Sequence, residues 1–252
     1  MFPVSLRALL KCFLRSYMTA GAFNTRGMQN IGLAYALDPG LKEIYSDAGK
    51  LQKARRRHIK LYNTHPIWNP LLIGLFLSLE REIDRDLFPA PSLPKVKSTL
   101  VFTLSAIGDS FFSGSLLITW SLVSILLLFS GMSHGVLILS VAFLMGVQLF
   151  KVYTFYMGLT QGLVFINNLK KWNLINWGSR LKVFNSWLVL AFWLVIWPFN
   201  WHIYSFILIS FTGLILTYFY RSIPWTRELF LVFILSLLTF VPESLNWIRT
   251  FF

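Results

Sequence analysis

Residues 110–150 read SFFSGSLLITWSLVSILLLFSGMSHGVLILSVAFLMGVQLF and contain no Asp, Glu, Lys or Arg. This length suffices for two membrane-spanning helices of about 20 residues each. The segment GMSHG at 131–135 interrupts the apolar run near its middle and combines two glycines with polar residues, which is typical of a turn. The stretch therefore predicts a helical hairpin that crosses a lipid bilayer twice.

The composition of the whole chain is that of a membrane protein. Of its 252 residues, 56% are hydrophobic and only 13% are charged, whereas soluble domains carry about 25% charged residues. The formal charge is +13, but the Lys and Arg residues lie largely between apolar segments, where they set membrane orientation. Because no DNA-binding motif accompanies this charge, we expect no nucleic-acid partner. A single cysteine, Cys12, excludes an intrachain disulfide and a cysteine-based zinc site.

Two further apolar runs predict the remaining spans. The charge-free run 183–220 is broken by Pro198 and Asn200, which predicts a second hairpin, and the run 229–241 could span with its flanking residues. The sequence thus predicts an all-α polytopic membrane protein with about five spanning helices. The basic connection 151–182 and the basic loop after the fourth span alternate with the neutral turns at 131–135 and 198–202, so the positive-inside rule places the N-terminus in the cytoplasm.

The first 100 residues differ from the rest of the chain. Their short apolar segments, 31–37, 70–79 and the junctional 100–107, cannot span a membrane alone and are typical of re-entrant or buried helices. We therefore divide the chain into an interfacial helical region, residues 1–100, with amphipathic and re-entrant segments, and a transmembrane region, residues 101–252. The Pro-rich stretch FPAPSLP, at 88–94, predicts a linker near this boundary.

The N-terminal segment has the pattern of an amphipathic helix. Arg7, Lys11 and Arg15 are spaced four residues apart and would share one helix face. The apolar residues that lie mostly on the other face are Leu6, Leu9, Leu10, Phe13, Leu14 and Tyr17. Two interpretations stay open: a helix on a membrane surface with its basic side toward anionic headgroups, or a helix packed on its own protein.

Four polar motifs accompany the short apolar segments. They are FNTRGMQNIGLAYAL (23–37), RHIKLYNTHP (57–66), LSLERE (77–82) and SAIGDSFFSG (105–114). Polar groups near membrane-embedded backbone are costly, so such motifs indicate function. In this order, over roughly residues 10–160, they resemble the IID subunit of the bacterial mannose-type (mannose, fructose, sorbose) sugar phosphotransferase system. The most distinctive block is H-x-x-x-x-NTHP, from His58 to Pro66.

The resemblance implies a function and a set of partners. A IID chain pairs with a membrane IIC subunit to form the sugar pathway, and a soluble IIB/IIA phosphocarrier docks on the cytoplasmic side and phosphorylates the incoming hexose. We therefore expect a hetero-oligomer in the bacterial cytoplasmic (inner) membrane, with no cofactor and no phosphoryl transfer by this chain alone. The residues implied for the sugar pathway are Asn24, Gln29, Asn63, Thr64, His65, Glu80 and Asp109, and those for phosphocarrier docking are Arg55, Arg56 and Arg57.

The NTHP motif, residues 63–66, and the GDS motif, residues 108–110, also have structural interpretations. Asn63 and Thr64 are typical of a tight turn at the membrane surface. Pro66 should end the preceding helix early, so His58 and His65 would not share a helix face and we expect no metal site. We expect Asp109 to cap the N-terminus of the first long span, with sugar or partner contact as the alternative.

The remaining polar motifs leave alternatives as well. Glu80 could pair with Arg81, Arg85 or Arg26, or it could be a solvated surface charge. Gln29 could line the pathway or satisfy backbone groups of a hairpin. The basic run KARRR at 53–57 could face lipid or bind an acidic phosphocarrier surface.

Some positions depart from the family pattern. The chain has FNTRGMQ where the family usually has WNYERMQ, so Arg26 and Gly27 replace an acid and a base. No family pattern is visible after about residue 165. These departures motivate a second hypothesis, a non-transporting membrane interaction or regulatory protein derived from a IID subunit.

Overall fold

The computed structural model describes residues 4–195 and the single positions 207, 211 and 215. Residues 4–195 form helices without any strand, which confirms the predicted all-helical class. The helices are α1 (Leu6–Arg15), α2 (Asn30–Ile44), α3 (Ala48–His58), α4 (Asn69–Asp84), α5 (Leu93–Gly108), α6 (Leu117–Phe129), α7 (Ser133–Gln161), α8 (Leu163–Lys170) and α9 (Leu174–Val195). The predicted hairpin around Pro198 and the predicted span 229–241 lie outside the described residues.

The centre of the fold is α4. All its residues from Asn69 to Glu80 are buried, and the helix packs against α7 and α2. The short apolar segment 70–79 is therefore contained in one continuous, largely buried helix of 16 residues. Of the two interpretations offered by the sequence, a buried helix describes this segment.

A single long helical run contains the first predicted span. α5 continues through a π-helical segment, Asp109–Leu116, into α6. The run Ala90–Phe129 has 40 residues and α7 has 29, and each contains an 18-residue stretch with a mean hydropathy of 2.0, so each is long and apolar enough to cross a membrane. The segment 100–107 is thus not a separate short element, and position 100 lies inside α5.

The predicted turn at 131–135 is confirmed. Gly131 has φ +73°, and the N–H groups of Gly131 and Met132 donate to Leu128 O and Leu127 O, both at 2.9 Å. This is a Schellman motif, in which a glycine adopts the left-handed conformation just after a helix. α7 then begins at Ser133.

α7 extends further than the apolar pattern indicated. The basic region 151–182 was expected to be a connection, but α7 continues to Gln161 and Lys151 lies on this helix. The prediction was wrong here because the last turns of α7 bury Phe155 and Leu159 in the core, which keeps the chain helical beyond the first charged residue.

α2 contains Pro39 in its interior. Proline has no N–H, so the carbonyl four residues earlier, at Tyr35, receives no helical hydrogen bond from it. Arg15 of α1 supplies one: its Nη1 donates to Tyr35 O at 3.1 Å, and its guanidinium lies 4.0 Å from the centre of the Tyr35 ring. The two helices are joined at the point where α2 lacks a bond of its own.

α1 has features of both structures that its sequence left open, a helix on a membrane surface and a helix packed on its own protein. Ser5 caps its N-terminus by accepting from Ala8 N at 3.2 Å. Ala8 and Cys12 are buried against the protein, whereas Leu6 is 83% exposed and Leu10 is 55% exposed. The helix is therefore packed on its own chain along one side and carries an apolar row on the other.

Candidate functional site

The GDS motif lies at the start of the π-helical segment Asp109–Leu116, with Gly108 directly before it. The N–H of Leu117 donates to Phe112 O, which is the i→i+5 pattern of a π-helix. Asp109 therefore lies inside a continuous helix, and its predicted role as an N-cap is wrong, because α5 supplies the turn that a helix start would lack. Short π-helical segments occur frequently at functional sites.

His65 of the NTHP motif reaches this segment. Its Nε2 lies 2.9 Å from Ser113 Oγ, and its ring stacks on Phe112 at a centroid distance of 5.5 Å. Gly108 permits the approach, since a Cβ added there would lie 2.4 Å from His65 Cβ. Two of the four sequence motifs thus meet in space.

The protonation of His65 follows from its surroundings. Burial lowers its pKa, and the nearby Asp109 charge opposes the shift only in part. A neutral imidazole has one donor and one acceptor nitrogen. Nδ1 accepts from the N–H of Ile67 at 3.3 Å, so Nε2 carries the proton and donates to Ser113 Oγ.

Charged residues continue this contact along the helix surface. Lys182 of α9 donates from Nζ to Ser110 Oγ at 3.2 Å. Asp109, Ser113 and Lys182 are exposed, and His65 and Ser110 are partly exposed. We call these residues the polar seam: His65, Asp109, Ser110, Ser113 and Lys182.

The polar seam lies near one end of the apolar helices. Asp109 precedes Phe129 by about 20 residues, which is about 30 Å of helix and equals the thickness of a hydrocarbon core. Lys151, the first charged residue of α7, follows Ser133 by about 27 Å on the same scale. Asp109 on the long helix and Lys151 on α7 thus lie at about the same level along the helical hairpin.

A second polar contact holds α9 against the long helix. Asn185 accepts from Thr119 Oγ1 at 2.7 Å and donates from Nδ2 to Ser115 O at 3.0 Å. Ser115 Oγ also donates to Gly178 O at 3.1 Å. These bonds fix the position of Lys182, which lies between Gly178 and Asn185 on α9, beside Ser110.

Side-chain hydrogen bonds hold the segment that contains the MQN motif, residues 28–30, and connect it to the NTHP motif. Asn24 accepts from Gly27 N at 2.8 Å and donates to Asn30 Oδ1 at 2.8 Å. Gln29 is buried, and its Oε1 accepts from Thr64 N at 3.4 Å. Asn24 thus closes the loop 24–30 on itself, and Gln29 joins this loop to the NTHP loop, which for Gln29 is the structural interpretation offered by the sequence.

The two remaining polar residues of this region differ in exposure. Asn63 is exposed. Thr64 Oγ1 is buried and has no hydrogen-bond partner within residues 4–195.

Glu80 lies apart from the polar seam in a buried cluster. Its Oε1 lies 2.8 Å from His58 Nε2, its Oε2 accepts from the Tyr45 hydroxyl at 2.7 Å, and Arg57 forms a salt bridge to it. The prediction named Arg81, Arg85 or Arg26, or a solvated charge, and it was wrong on both counts because Glu80 is fully buried against other partners. His58 and Arg57 come from α3, more than 20 residues earlier in the chain, so local spacing could not identify them.

The cluster keeps Glu80 ionised. Burial opposes ionisation, but hydrogen bonds from His58 and Arg57 outweigh it and lower the pKa of Glu80 to about 2. Burial lowers the pKa of His58, and Glu80 opposes this shift. His58 is therefore a neutral donor through Nε2, and the Nδ1 that has no partner in residues 4–195 is a bare acceptor.

The three arginines expected to bind a phosphocarrier have different roles. Arg55 donates from Nε to Asp38 at 2.8 Å, and Arg57 is held by Glu80. Arg56 is exposed and, with Lys53 and Lys60, lines an open cavity of about 540 Å³ beside the Pro-rich linker. We call Lys53, Arg56 and Lys60 the basic patch.

Sequence reasoning missed three members of the polar seam: Ser110, Ser113 and Lys182. Ser113 follows Asp109 by four residues, a helical spacing that could have identified it. Nothing in the sequence signalled that Lys182 lies beside Ser110, since the contact spans 72 positions. Lys97 was also missed: it is buried and donates to His58 O at 3.0 Å and Lys60 O at 3.2 Å, which caps the end of α3.

Comparisons with known sequences agree with the resemblance. The family model described as PTS system mannose/fructose/sorbose family IID component matches residues 4–182, so the family pattern extends beyond the predicted limit near residue 165. The fructose permease IID component of Bacillus subtilis is 26% identical over 111 residues, 44% of this chain and 40% of that protein. The mannose-specific EIID component of Escherichia coli K12 is 27% identical over 157 residues, 60% of this chain and 52% of that protein. The chain thus spans about half the length of these relatives, or less.

Solved structures share the fold. One is the mannose transporter ManYZ in complex with microcin E492, with a TM-score of 0.59 and 17% identity, covering 97% of this chain and 98% of that chain. Another, described as a membrane protein, has a TM-score of 0.65 and 20% identity and covers 75% of this chain and 70% of that one.

Proposed function

Because the chain belongs to the PTS system mannose/fructose/sorbose family of IID components, we propose that it forms the sugar translocation pathway of a phosphoenolpyruvate-dependent permease together with a IIC subunit. Family membership implies a membrane protein with a role in sugar transport. The polar seam is the portion of this chain that lines the pathway.

The observation that carries this proposal is the exposure of charge on otherwise apolar helices. Asp109 and Lys182 are exposed in the isolated chain, although the residues that flank Asp109 form a helix that is apolar enough to span a membrane. A charge that faces lipid is costly, so such residues face a partner or a watery cavity. A IIC subunit that covers this side would enclose carboxylate, hydroxyl and imidazole groups, with the Phe112 ring behind them, which is a chemistry suited to a hexose.

The proposal includes the membrane topology. The N-terminus is cytoplasmic, the 131–135 turn faces outward, and α9 begins the third of about five spans. Residues 1–100 are interfacial and residues 101–252 are transmembrane. The polar seam then lies near the cytoplasmic end of the spans, so a sugar would pass it shortly before phosphorylation.

The basic patch is the proposed docking site for the soluble phosphocarrier. Arg56 is the one of the three expected arginines that makes no salt bridge within residues 4–195, and Lys53 and Lys60 extend its charge. An acidic surface of a IIB/IIA protein would be attracted by this charge. The chain itself supplies no phosphoryl group in this scheme.

The experiment measures uptake and phosphorylation of hexoses in cells that carry this chain, a cognate IIC subunit and the soluble carriers. Asp109→Asn and Ser113→Ala should each reduce the rate of sugar-phosphate formation by about 10-fold, the effect of losing one hydrogen bond that contributes about 1.4 kcal/mol. Ser121→Ala is the matched control on the same long helix, since within residues 4–195 Ser121 Oγ bonds only its own helix, at Leu117 O. Unchanged uptake in both seam variants, with the complex still assembled, would remove the seam from the pathway.

A second candidate function is a non-transporting membrane interaction protein. Gly27 favours it, because a Cβ there would lie 2.0 Å from Asn30 Nδ2, so the loop in this structure has no room for the basic side chain that the family usually has at this position. The same experiment separates the candidates. A wild-type chain that assembles with IIC but supports no uptake of any hexose favours the second.

A further inference from the structure

The exposed side of α1 carries two parallel rows of side chains. Leu6, Leu10 and Leu14 are 83%, 55% and 57% exposed and form an apolar row. Each is followed by a basic residue, Arg7, Lys11 or Arg15, which lies about 100° further around the helix. The basic row therefore lies between the apolar row and the side of α1 that is packed on the protein.

The basic row faces a cleft between α1 and α2. The cleft has a volume of about 450 Å³ and is lined by the basic row together with Asp38, Lys42 and Glu43. Both carboxylates are already engaged: Asp38 pairs with Lys42 and Arg55, and Glu43 accepts from Ser5.

Two cations of the cleft keep their charge available. Arg7 and Lys11 form no salt bridge or hydrogen bond with any residue of 4–195. The cleft therefore contains four cations and two carboxylates, a net charge of about +2, and it opens next to an exposed apolar row.

The segment directly after α1 contacts α7 near Lys151, the first charged residue of that helix. The Tyr17 hydroxyl donates to Gln148 Oε1, and Lys151 Nζ lies 4.4 Å from the centre of the Tyr17 ring. Lys151 is about 27 Å from the start of α7, close to the thickness of a hydrocarbon core. α1 is thus attached to α7 at the level of a membrane interface.

We propose that α1 lies in the cytoplasmic membrane interface and that the cleft between α1 and α2 binds the headgroup of an anionic phospholipid. Arg7 and Lys11 contact the lipid phosphate, and Leu6, Leu10 and Leu14 enter the acyl-chain region. The proposal uses the membrane orientation of α7 given under the proposed function, but it does not depend on sugar transport.

The test compares lipid retention by two double variants of the full chain, purified and reconstituted in phosphatidylcholine nanodiscs with or without phosphatidylglycerol. Native mass spectrometry measures the preference for phosphatidylglycerol. Arg7→Gln/Lys11→Gln should lower this preference by about 30-fold, as expected for two basic residues at a membrane surface. Lys53→Gln/Arg56→Gln removes the same charge from the basic patch and should leave it within a factor of about two. Equal retention by both double variants overturns the proposal.

A second measurement identifies what covers the apolar row. A bimane label on Leu10→Cys should be quenched by lipids brominated on their acyl chains, whereas a label on Gln52→Cys, an exposed position of α3, should not. Cys12 is fully buried, so it does not compete for the label. A Leu10 label that escapes quenching when IIC is present shows that a protein covers the row and overturns the proposal. Displacement of phosphatidylglycerol by inorganic phosphate identifies a free-phosphate site instead and overturns it as well.

Discussion

Gly74 of α4 and Gly158 of α7 lie where these two helices cross, and each permits contact with the backbone of the other helix. A Cβ added to Gly74 would lie 2.5 Å from Phe155 O, and one added to Gly158 would lie 2.5 Å from Leu71 O. Small residues at helix crossings allow such close approach in membrane proteins. Since α4 is buried from Asn69 to Glu80, this crossing joins the centre of the fold to the second predicted span.

Gly158→Ala should therefore destabilise the protein by about 1–3 kcal/mol, because backbone atoms cannot move aside as a side chain can. Gly146→Ala on the same helix is the control, since a Cβ there would meet no atom within 4 Å. Thermal unfolding of the purified chain in detergent, followed by size-exclusion chromatography, measures the difference. Equal midpoints for the two variants would show that the crossing is looser than described.

Glu80→Gln should be more damaging than a typical surface change. It would leave Arg57 and His58 facing a neutral amide in a buried cluster, and loss of one partner of a buried ion pair costs about 3–5 kcal/mol. Glu82→Gln, two residues later on α4 and only partly buried, should change the free energy of unfolding by less than about 0.5 kcal/mol. Denaturant titration of both variants in the same detergent measures the two changes in the free energy of unfolding, and equal changes would contradict the prediction.

The stability of the wild-type chain should depend on acid through Glu80. Its pKa is lowered in the folded protein from 4.5 to about 2, so the folded state favours the ionised carboxylate. The stabilisation is therefore complete above about pH 4.5 and is lost as the pH falls from there toward 2. Melting curves of the wild type and Glu80→Gln should converge over this range, and a constant gap between them would contradict the assignment.

Arg15 and Arg7 belong to the same basic row but should have different roles. Arg15 should stabilise the fold, whereas Arg7 should act at the membrane interface. Arg15→Gln removes the bond to Tyr35 O and the contact with the Tyr35 ring, and it should cost about 1–2 kcal/mol in detergent. Arg7→Gln should have no measurable effect there, because Arg7 makes no such bond within residues 4–195. Thermal unfolding in a lipid-free detergent is the appropriate measurement, since lipid would restore a role for Arg7.

The features that the sequence predicted well depend on local patterns. The absence of charge in 110–150 and the two glycines of the 131–135 turn were enough to place α6, α7 and the turn between them. Such patterns are visible because helix periodicity and turn chemistry act over a few residues. The ordered motifs also predicted the family to which the chain belongs.

The features that were predicted wrongly depend on packing between distant segments. Asp109 has the sequence context of an N-cap, but α5 precedes it without a break. Glu80 was expected to pair with Arg81, Arg85 or Arg26 or to be a solvated surface charge. It is instead paired with α3, because burial of α4 places that carboxylate against Arg57 and His58. Whether the polar seam conducts sugar remains a prediction.

The π-helical segment is a place where the chain can lose a residue. An i→i+5 turn holds one residue more than an α-helical turn, so deleting a single residue of Asp109–Leu116 would let the helix become regular. Because only the extra residue is removed, the residues after it would keep their helix faces, and Thr119 would still meet Asn185. A deletion within the regular helix α7 would instead rotate everything after it by about 100°. A change of chain length is therefore absorbed in the π-helical segment, whereas in a regular span it changes the faces of every following turn.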